Sequence, residues 1–232
     1  DDRTRFVANG GGAKFVVSGT ITSTVAAGAG VIGVQFIGSG STTVLSADIV
    51  TSGTAIDIAD AVQVDGTNIT LDTTNGATVS AGANIRITGG SAGIFATAGA
   101  TTNNLTINSG TGGTALLGSL LGFGTGGGAG ELVNRLTVNA ATTALPSVNI
   151  LAGTVGITST NITLGADLTA GSTTASGSLS LTGAVALTSS VVLAGDGITV
   201  TGGITGNNYN LALDGNGGAS TANGAVSVTG TV

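Results

Sequence analysis

The residues best suited to chemistry in this chain are five aspartates, Asp48, Asp57, Asp60, Asp65 and Asp72, gathered in one short stretch. Closely spaced carboxylates suit a hard, oxygen-seeking cation such as calcium. Their spacing matches neither an EF-hand loop nor the Gly-Gly-x-Gly-x-Asp repeat of calcium-binding β-rolls. Asp57, Asp60 and Asp65 are the positions left as candidates for a bound calcium ion. The pairs Asp196-Gly197 and Asp214-Gly215 read more simply as turns.

Most other chemistry is subtracted by composition. There is no His, Cys, Met or Trp, so no imidazole can shuttle protons and no thiol can attack. Arg135 is the last basic residue, and residues 136–232 carry only Asp167, Asp196 and Asp214. Glycosidase or lyase chemistry needs two carboxylates at a set separation, or an acid with a basic partner, in one cleft. The C-terminal part has three acids, no base and no tryptophan or phenylalanine to stack a sugar. Gly124–Gly130 is glycine-rich, but no Gly-Lys-Ser/Thr follows it, so it does not read as a phosphate loop. The chain is not expected to be an enzyme.

Net charge is −6, which disfavours an electrostatic grip on nucleic acid or on an anionic membrane. No stretch is long and apolar enough for a membrane span. Hydrophobic residues make up 41% of the chain but aromatics only 3%, so bulk must come from Val, Ile, Leu and Ala in thin layers. High apolar content with 7% charged residues argues against disorder despite 43 glycines. The opening Asp1-Asp2-Arg3-Thr4-Arg5 reads as a mature end after removal of a leader, or as a cloning boundary. Export fits the first of these.

The elements that must carry these residues are short strands. Alternation of period two dominates, broken every few residues by Gly, Asn or Asp. Strands are expected at Lys14–Val25, Val31–Ile37, Asn68–Asp72, Asn84–Thr88 and Leu105–Asn108. Helical spacing is scarce: a single turn at Asp57–Val62 and a short helix over Ala115–Leu121, where Leu116, Leu117, Leu120 and Leu121 would share one face. Seven dipeptides are competent for hairpins: Asn9-Gly10, Asp65-Gly66, Asn75-Gly76, Asp196-Gly197, Asp214-Gly215, Asn216-Gly217 and Asn223-Gly224.

Residues 136–232 are repetitive. A unit of apolar-x-apolar-x-Gly recurs at Leu179–Gly183, Val191–Gly195, Ile198–Gly202, Leu211–Gly215 and Val226–Gly230, with looser copies at Val148–Ile150 and Ile162–Leu164. Such strands either stack coil on coil in a parallel β-solenoid or pair as an antiparallel, pilin-like sandwich. Columns of small aliphatics favour the solenoid, although the steps between units are uneven. Residues 1–123 differ, holding most of the charge and Phe6, Phe15, Phe36, Phe95 and Phe123. They read as a less regular β module, joined to the repeats by a glycine-rich hinge at 124–135.

Leu136-Thr-Val-Asn-Ala, Asn161-Ile-Thr-Leu-Gly-Ala-Asp-Leu-Thr-Ala and Gly195-Asp-Gly-Ile-Thr-Val-Thr-Gly-Gly resemble the repeats of filamentous-haemagglutinin-like adhesins and autotransporter passengers of bacterial surfaces. The resemblance covers residues 136–232. It implies export to the cell surface, a right-handed parallel β-helix, and a role as stalk or fibre.

Two further patterns bear on binding. Thr199-Val-Thr201 has the Thr-x-Thr form of ice-binding solenoids, but Ser178-Leu-Ser180 and Ala212-Leu-Asp214 break the rank. Outward Thr is otherwise ordinary for a strand. Three acceptor sequons occur, Asn68-Ile-Thr70, Asn104-Leu-Thr106 and Asn161-Ile-Thr163, as chance allows in so Asn- and Thr-rich a chain.

The reading is an all-β exported structural protein, a subunit or segment of an extracellular fibre, sheath or surface layer. Its expected partners are copies of itself, joined head to tail through strand edges at Phe15, Val17, Ile21 and Val25 and at Val226, Val228 and Val232. The alternative is an adhesin whose N-terminal half binds a host, surface or glycan ligand while the repeats act as spacer.

Overall fold

Short apolar alternations punctuated by glycine make strands too brief to stand alone, and each must bury its apolar face against a neighbour. Here they do so by coiling. The computed structural model describes residues 3–8, 10–25, 31–38, 40–88, 93–97, 102–118, 133–145, 150–172, 175–215 and 224–231. Among these there are strands and turns and no helix.

The first coils each lay down three strands. They are β1 (Thr4–Ala8), β2 (Lys14–Val17) and β3 (Ile21–Ser23), then β4 (Ile32–Gly38), β5 (Thr42–Leu45) and β6 (Ile49–Thr51). Next come β7 (Ala55–Ile58), β8 (Ala61–Val64) and β9 (Asn68–Asp72), followed by β10 (Ile85–Ile87) and β11 (Ile94–Ala96). From β12 (Asn104–Leu117) the third strand of one coil runs straight into the first strand of the next. The same holds for β13 (Arg135–Leu145), β15 (Thr154–Leu164) and β18 (Ser178–Leu187). Between and beyond them lie β14 (Ile150–Ala152), β16 (Leu168–Ser172), β17 (Ala175–Ser176), β19 (Val191–Ala194) and β20 (Gly197–Thr201). The last are β21 (Ile204–Thr205), β22 (Leu211–Asp214) and β23 (Ala225–Thr229).

Pairing is parallel from coil to coil, apart from the small antiparallel ladder of β16 with β17 and a single bridge between Ser52 and Thr74. Three sides result. The first carries β1, β4, β7 and β10, the C-terminal ends of β12, β13, β15 and β18, and β21. The second carries a four-stranded sheet (β2, β5, β8, β11) and a five-stranded one that includes β14, β16, β19 and β22. The third carries β3, β6 and β9, the N-terminal ends of the long strands, and then β20 and β23. The long strands join the first and third sides into one 14-stranded sheet. This is a parallel β-solenoid, and the expected all-β solenoid class is what the chain adopts.

The solenoid is not confined to the repeats. Strands of the charged N-terminal part stack in the same sheet, and β12 pairs directly with β13. Of the expected hinge, Val133 is already buried and Arg135 opens β13, while residues 119–132 lie outside those described.

The core is a set of columns. On the third side Ile21, Ile49, Leu71, Ile107, Val138, Ile157, Leu181, Val200 and Val228 stack in register through nine coils. On the first side the column Val34, Ile56, Ile85, Ala115, Thr143, Ile162, Val185 and Ile204 faces it. A buried aliphatic of this size contributes about 1.5–3 kcal/mol, and the inner coils supply at least one on each of these two sides. Rings close the interior at the first two coils. Phe6 stacks on Phe36 at 4.7 Å, and Phe15 meets both edge-on at 6.2 and 5.8 Å.

The corner between the third and first sides is lined inside by hydroxyls: Ser23, Thr51, Thr73, Ser109, Thr143 and Ser159 are all buried. Thr73 Oγ1 donates to the carbonyls of Ala83 and Asn108 and accepts from the Ala83 amide. Thr143 and Ser159 bond each other at 2.6 Å. These bonds satisfy a bend where the ladder is interrupted.

Farther along the same corner glycine takes over. Gly183, Gly202 and Gly230 have φ of 139°, 118° and 131° and lie one above another. A Cβ on Gly183 would sit 1.7 Å from the Ser159 carbonyl oxygen, and one on Gly202 2.6 Å from the Gly183 oxygen. The repeat glycine is therefore a steric requirement of close coil stacking as well as a turn signal.

Two expected helices are strands. Asp57–Val62 spans the end of β7 and the start of β8, with Ile56, Ile58, Val62 and Val64 buried. Ala115–Leu117 ends β12, pairing with β10 and β13, and residues 119–121 lie outside those described. In both places the strand partners above and below override a weak local helical spacing. The Asp-Gly and Asn-Gly pairs within the described residues turn corners between parallel strands and do not close hairpins. The expected strands at Val31–Ile37 and Asn68–Asp72 form as β4 and β9.

Substitution at the corner separates these demands. Gly183→Ala is expected to destabilise the chain by at least about 2 kcal/mol, since φ and space both forbid a Cβ. Gly156→Ala, where a Cβ meets nothing within 4 Å, is expected to be neutral or stabilising by about 0.5 kcal/mol. Urea unfolding of the two variants checks this.

Candidate functional site

The acidic residues are dispersed by the coiling and engaged one by one. Asp57 points outward from β7 in a first-side column of Arg5, Gln35, Asp57 and Arg86. Gln35 Nε2 donates to Asp57 Oδ2 at 2.9 Å, and Arg86 Nη1 lies 3.7 Å from Oδ1. Asp60 is buried, taking hydrogen bonds from Ser41 Oγ at 2.7 Å and Thr43 Oγ1 at 3.4 Å. Asp65 accepts from Ser46 Oγ at 3.0 Å and from Thr97 Oγ1. The Thr97 hydroxyl, then that of Ser46, hold its carboxyl below the usual range, with a smaller contribution from the charge of Lys14.

The other two acids close loops. Asp48 Oδ1 accepts from the Thr70 amide at 2.7 Å. Asp72 organises the turn after β9, accepting from the amides of Thr74 and Gly76, the Thr74 hydroxyl and Asn108 Nδ2. Among the described residues no three acidic side chains come together as a cation site would need. The structure thus places Asp57, Asp60 and Asp65 at three separate positions and does not join them.

The residues expected to meet another copy lie at the two extremes of the stack. Val17 is buried, and Phe15, Ile21 and Val25 are half-buried. Val226 and Val228 continue the inward columns above Ile198 and Val200, and Val226 is exposed because no described coil covers it. Val232 lies outside the described residues. No helix of the described chain is long and apolar enough to cross a membrane.

Two outward features of the N-terminal coils escaped the sequence reading. Val16, Val44, Gln63 and Phe95 stack in one column on the second side, with Val16 61% exposed, Gln63 and Phe95 half-buried and Val44 buried. On the third side Asn104 Nδ2 donates to Asn68 Oδ1 and Asn134 Nδ2 to Asn104 Oδ1, each at 2.8 Å. That ladder ties up two of the three sequon asparagines; Asn161 is exposed on β15. A shallow open depression of roughly 280 Å³ lies where Asn108, Asn139 and Thr158 line up beside the corner.

The outward residues of the third side change character along the axis. Asp72, Asn108 and Asn139 give way to Thr158, Thr182, Thr201 and Thr229 in one rank. Beside it run Gly156, Ser180, Thr199 and Ser227. Ala212 and Asp214, which seemed to break the Thr-x-Thr pattern, belong to β22 on the second side and are not part of this rank. The signal that would have assigned them is coil membership. Units at 179, 198 and 226 stack on one side, whereas those at 191 and 211 stack on another.

No protein-family model matches the chain, and no curated protein or solved structure matches it either.

The acidic groups are expected to differ in weight. Asp60→Ala strands two hydroxyls in the interior and should cost about 1–3 kcal/mol. Arg86→Ala removes an exposed, loosely spaced pair and should cost under about 1 kcal/mol. Thermal unfolding at neutral pH distinguishes the two. Because the folded state depresses the Asp65 carboxyl, its contribution is present above the unfolded value of 3.8 and is lost as pH falls through the lowered one. A carboxyl NMR titration should find Asp65 still ionised where an unfolded aspartate is half protonated.

Proposed function

We propose that this chain is an exported structural protein, a rod-like segment or self-associating subunit of an extracellular fibre, sheath or surface layer. The observation that carries the reading is the unbroken parallel stack. Nine coils continue one inward column, and every described strand in it hydrogen-bonds its copy in the next coil. Such a stack transmits load along its axis through backbone hydrogen bonds in series.

The same geometry supports a reading in which further copies associate end to end. The edges of β1, β2 and β3 on one side, and of β21, β22 and β23 on the other, are parallel and three-sided alike. Whatever continues the axis, a further coil of a longer chain or another copy, meets matching donors and acceptors. The filamentous adhesin-like repeats of residues 136–232 support a surface location.

The second reading, an adhesin whose N-terminal half binds a surface or glycan ligand, is favoured by one observation: the exposed Val16, which stacks in one column with the half-buried Phe95. A glycan array with the whole chain and with Val16→Lys tests it.

Negative-stain electron microscopy, with and without calcium, tests the first. Single particles should be rods about 40 Å long for nine coils at strand spacing, and association should lengthen them in multiples of that value. Val228→Lys, which puts a charge at the last described position of the column, should leave the rods intact and stop elongation. Globular particles under both conditions would refute the rod.

A further inference from the structure

We propose that the C-terminal part of the third side binds the surface of ice. The argument starts from where the hydroxyls of this chain are used. At the corners and in the N-terminal coils, Ser41, Thr43, Ser46, Thr73, Thr74, Thr88, Thr97, Thr143 and Ser189 all hydrogen-bond within the chain. Thr158, Ser180, Thr182, Thr199, Thr201, Ser227 and Thr229 do the opposite. All seven are exposed, and none of their hydroxyls bonds another group among the described residues.

These seven occupy two adjacent ranks on β15, β18, β20 and β23. The pairing is residue for residue: Gly156, Ser180, Thr199 and Ser227 in one rank, Thr158, Thr182, Thr201 and Thr229 in the other. Seven of the eight positions bear a hydroxyl. The rank repeat is the strand spacing, about 4.7–4.9 Å, and the two ranks are about 6.6 Å apart along the strand. The first distance is close to the a-axis repeat of hexagonal ice. Five of the seven are threonines, whose β-branched side chains have few χ1 states and keep hydroxyl and methyl in rank, and ordered water bridging such a rank costs little entropy per molecule.

Charge selects the occupant. The segments 154–158, 178–182, 197–201 and 225–229 contain no Asp, Glu, Lys or Arg and no aromatic residue. A charged polymer finds no counter-charge there, and a sugar finds no ring to stack on. A neutral, periodic, hydroxyl-compatible lattice fits. Gly156 marks the one gap in the array, and a Cβ built there meets nothing within 4 Å. The inference does not depend on the chain being a fibre subunit.

Thermal hysteresis and inhibition of ice recrystallisation, measured on the whole chain, test the proposal. The wild type should shape ice crystals and arrest their growth over a measurable interval. Thr182→Lys and Thr201→Lys, at exposed positions within the ranks, should lose the effect. Thr205→Lys, exposed on the first side, should retain it. Gly156→Thr should increase it by completing the array. Circular dichroism and melting of each variant separate loss of the surface from loss of fold. Unaltered ice growth with the wild type would overturn the proposal. So would equal loss in the Thr182 and Thr205 variants, or no gain from Gly156→Thr in a folded protein.

Discussion

Everything in this molecule hangs on the hydrogen bonds that each coil makes to the next. A parallel ladder offers no hairpin to fix register, so the register must come from what the strands bury. A slip by one residue would turn Ile157, Leu181 and Val200 out to water and bring Thr158, Thr182 and Thr201 in. The cost of that exchange recurs at every coil, and it locks the stack. Once the register is locked, side chains of like kind fall into columns on both faces of the wall. The inner columns supply cohesion. The outer ones are left free to be polar, charged or hydroxyl-bearing without disturbing the ladder.

Corners are where the ladder is most constrained. At the bend between the third and first sides the chain has two local solutions. In the coils up to β15 buried hydroxyls such as Thr51, Thr73 and Thr143 supply the hydrogen bonds that the interrupted backbone lacks. In the C-terminal coils Gly183, Gly202 and Gly230 let the backbone of one coil press against the next, so no such substitute is needed. The change is confined to this corner: elsewhere the C-terminal coils still bend with side-chain help, from Asp167 to the Val192 amide, Ser189 to the Gly165 carbonyl and Asn207 to the Leu187 carbonyl.

The fold class was legible because period-two alternation with glycine stops admits few structures. Asn68–Asp72 and Val31–Ile37 announce themselves as strands by pattern alone. Other features were hidden for a common reason: they depend on which coil sits above which. Asp57–Val62 shows a faint helical spacing, yet Ile56 and Ile58 lie between Val34 and Phe36 below and Ile85 and Ile87 above, contacts at sequence separations of 22 and 29 residues. The uneven steps between the five-residue units are the same problem seen at larger scale. Taken in chain order they alternate between the third and second sides, and only within one side do they repeat. The aspartates Asp57, Asp60 and Asp65 are neighbours in sequence and strangers in space, because one coil turn carries them past an outward ladder, a buried corner and an exposed loop.

The same logic governs what the outer surface can do. In a globular fold a binding surface is assembled from loops, and each residue must be placed separately. In this stack one substitution pattern repeated at coil spacing produces a regular surface automatically, because the inner columns already impose the repeat. The run from Asp72 through Asn108 and Asn139 to Thr158, Thr182, Thr201 and Thr229 illustrates this. At the N-terminal end of the rank Asn108 turns back to Asp72 and Thr74 and ties two coils together. At Thr158, Thr182, Thr201 and Thr229 the hydroxyl has no partner among the described residues and faces water. The C-terminal coils are therefore held by their interior and corners alone. Their outer ranks carry no obligation to stability, and their composition is free to answer to whatever the surface meets.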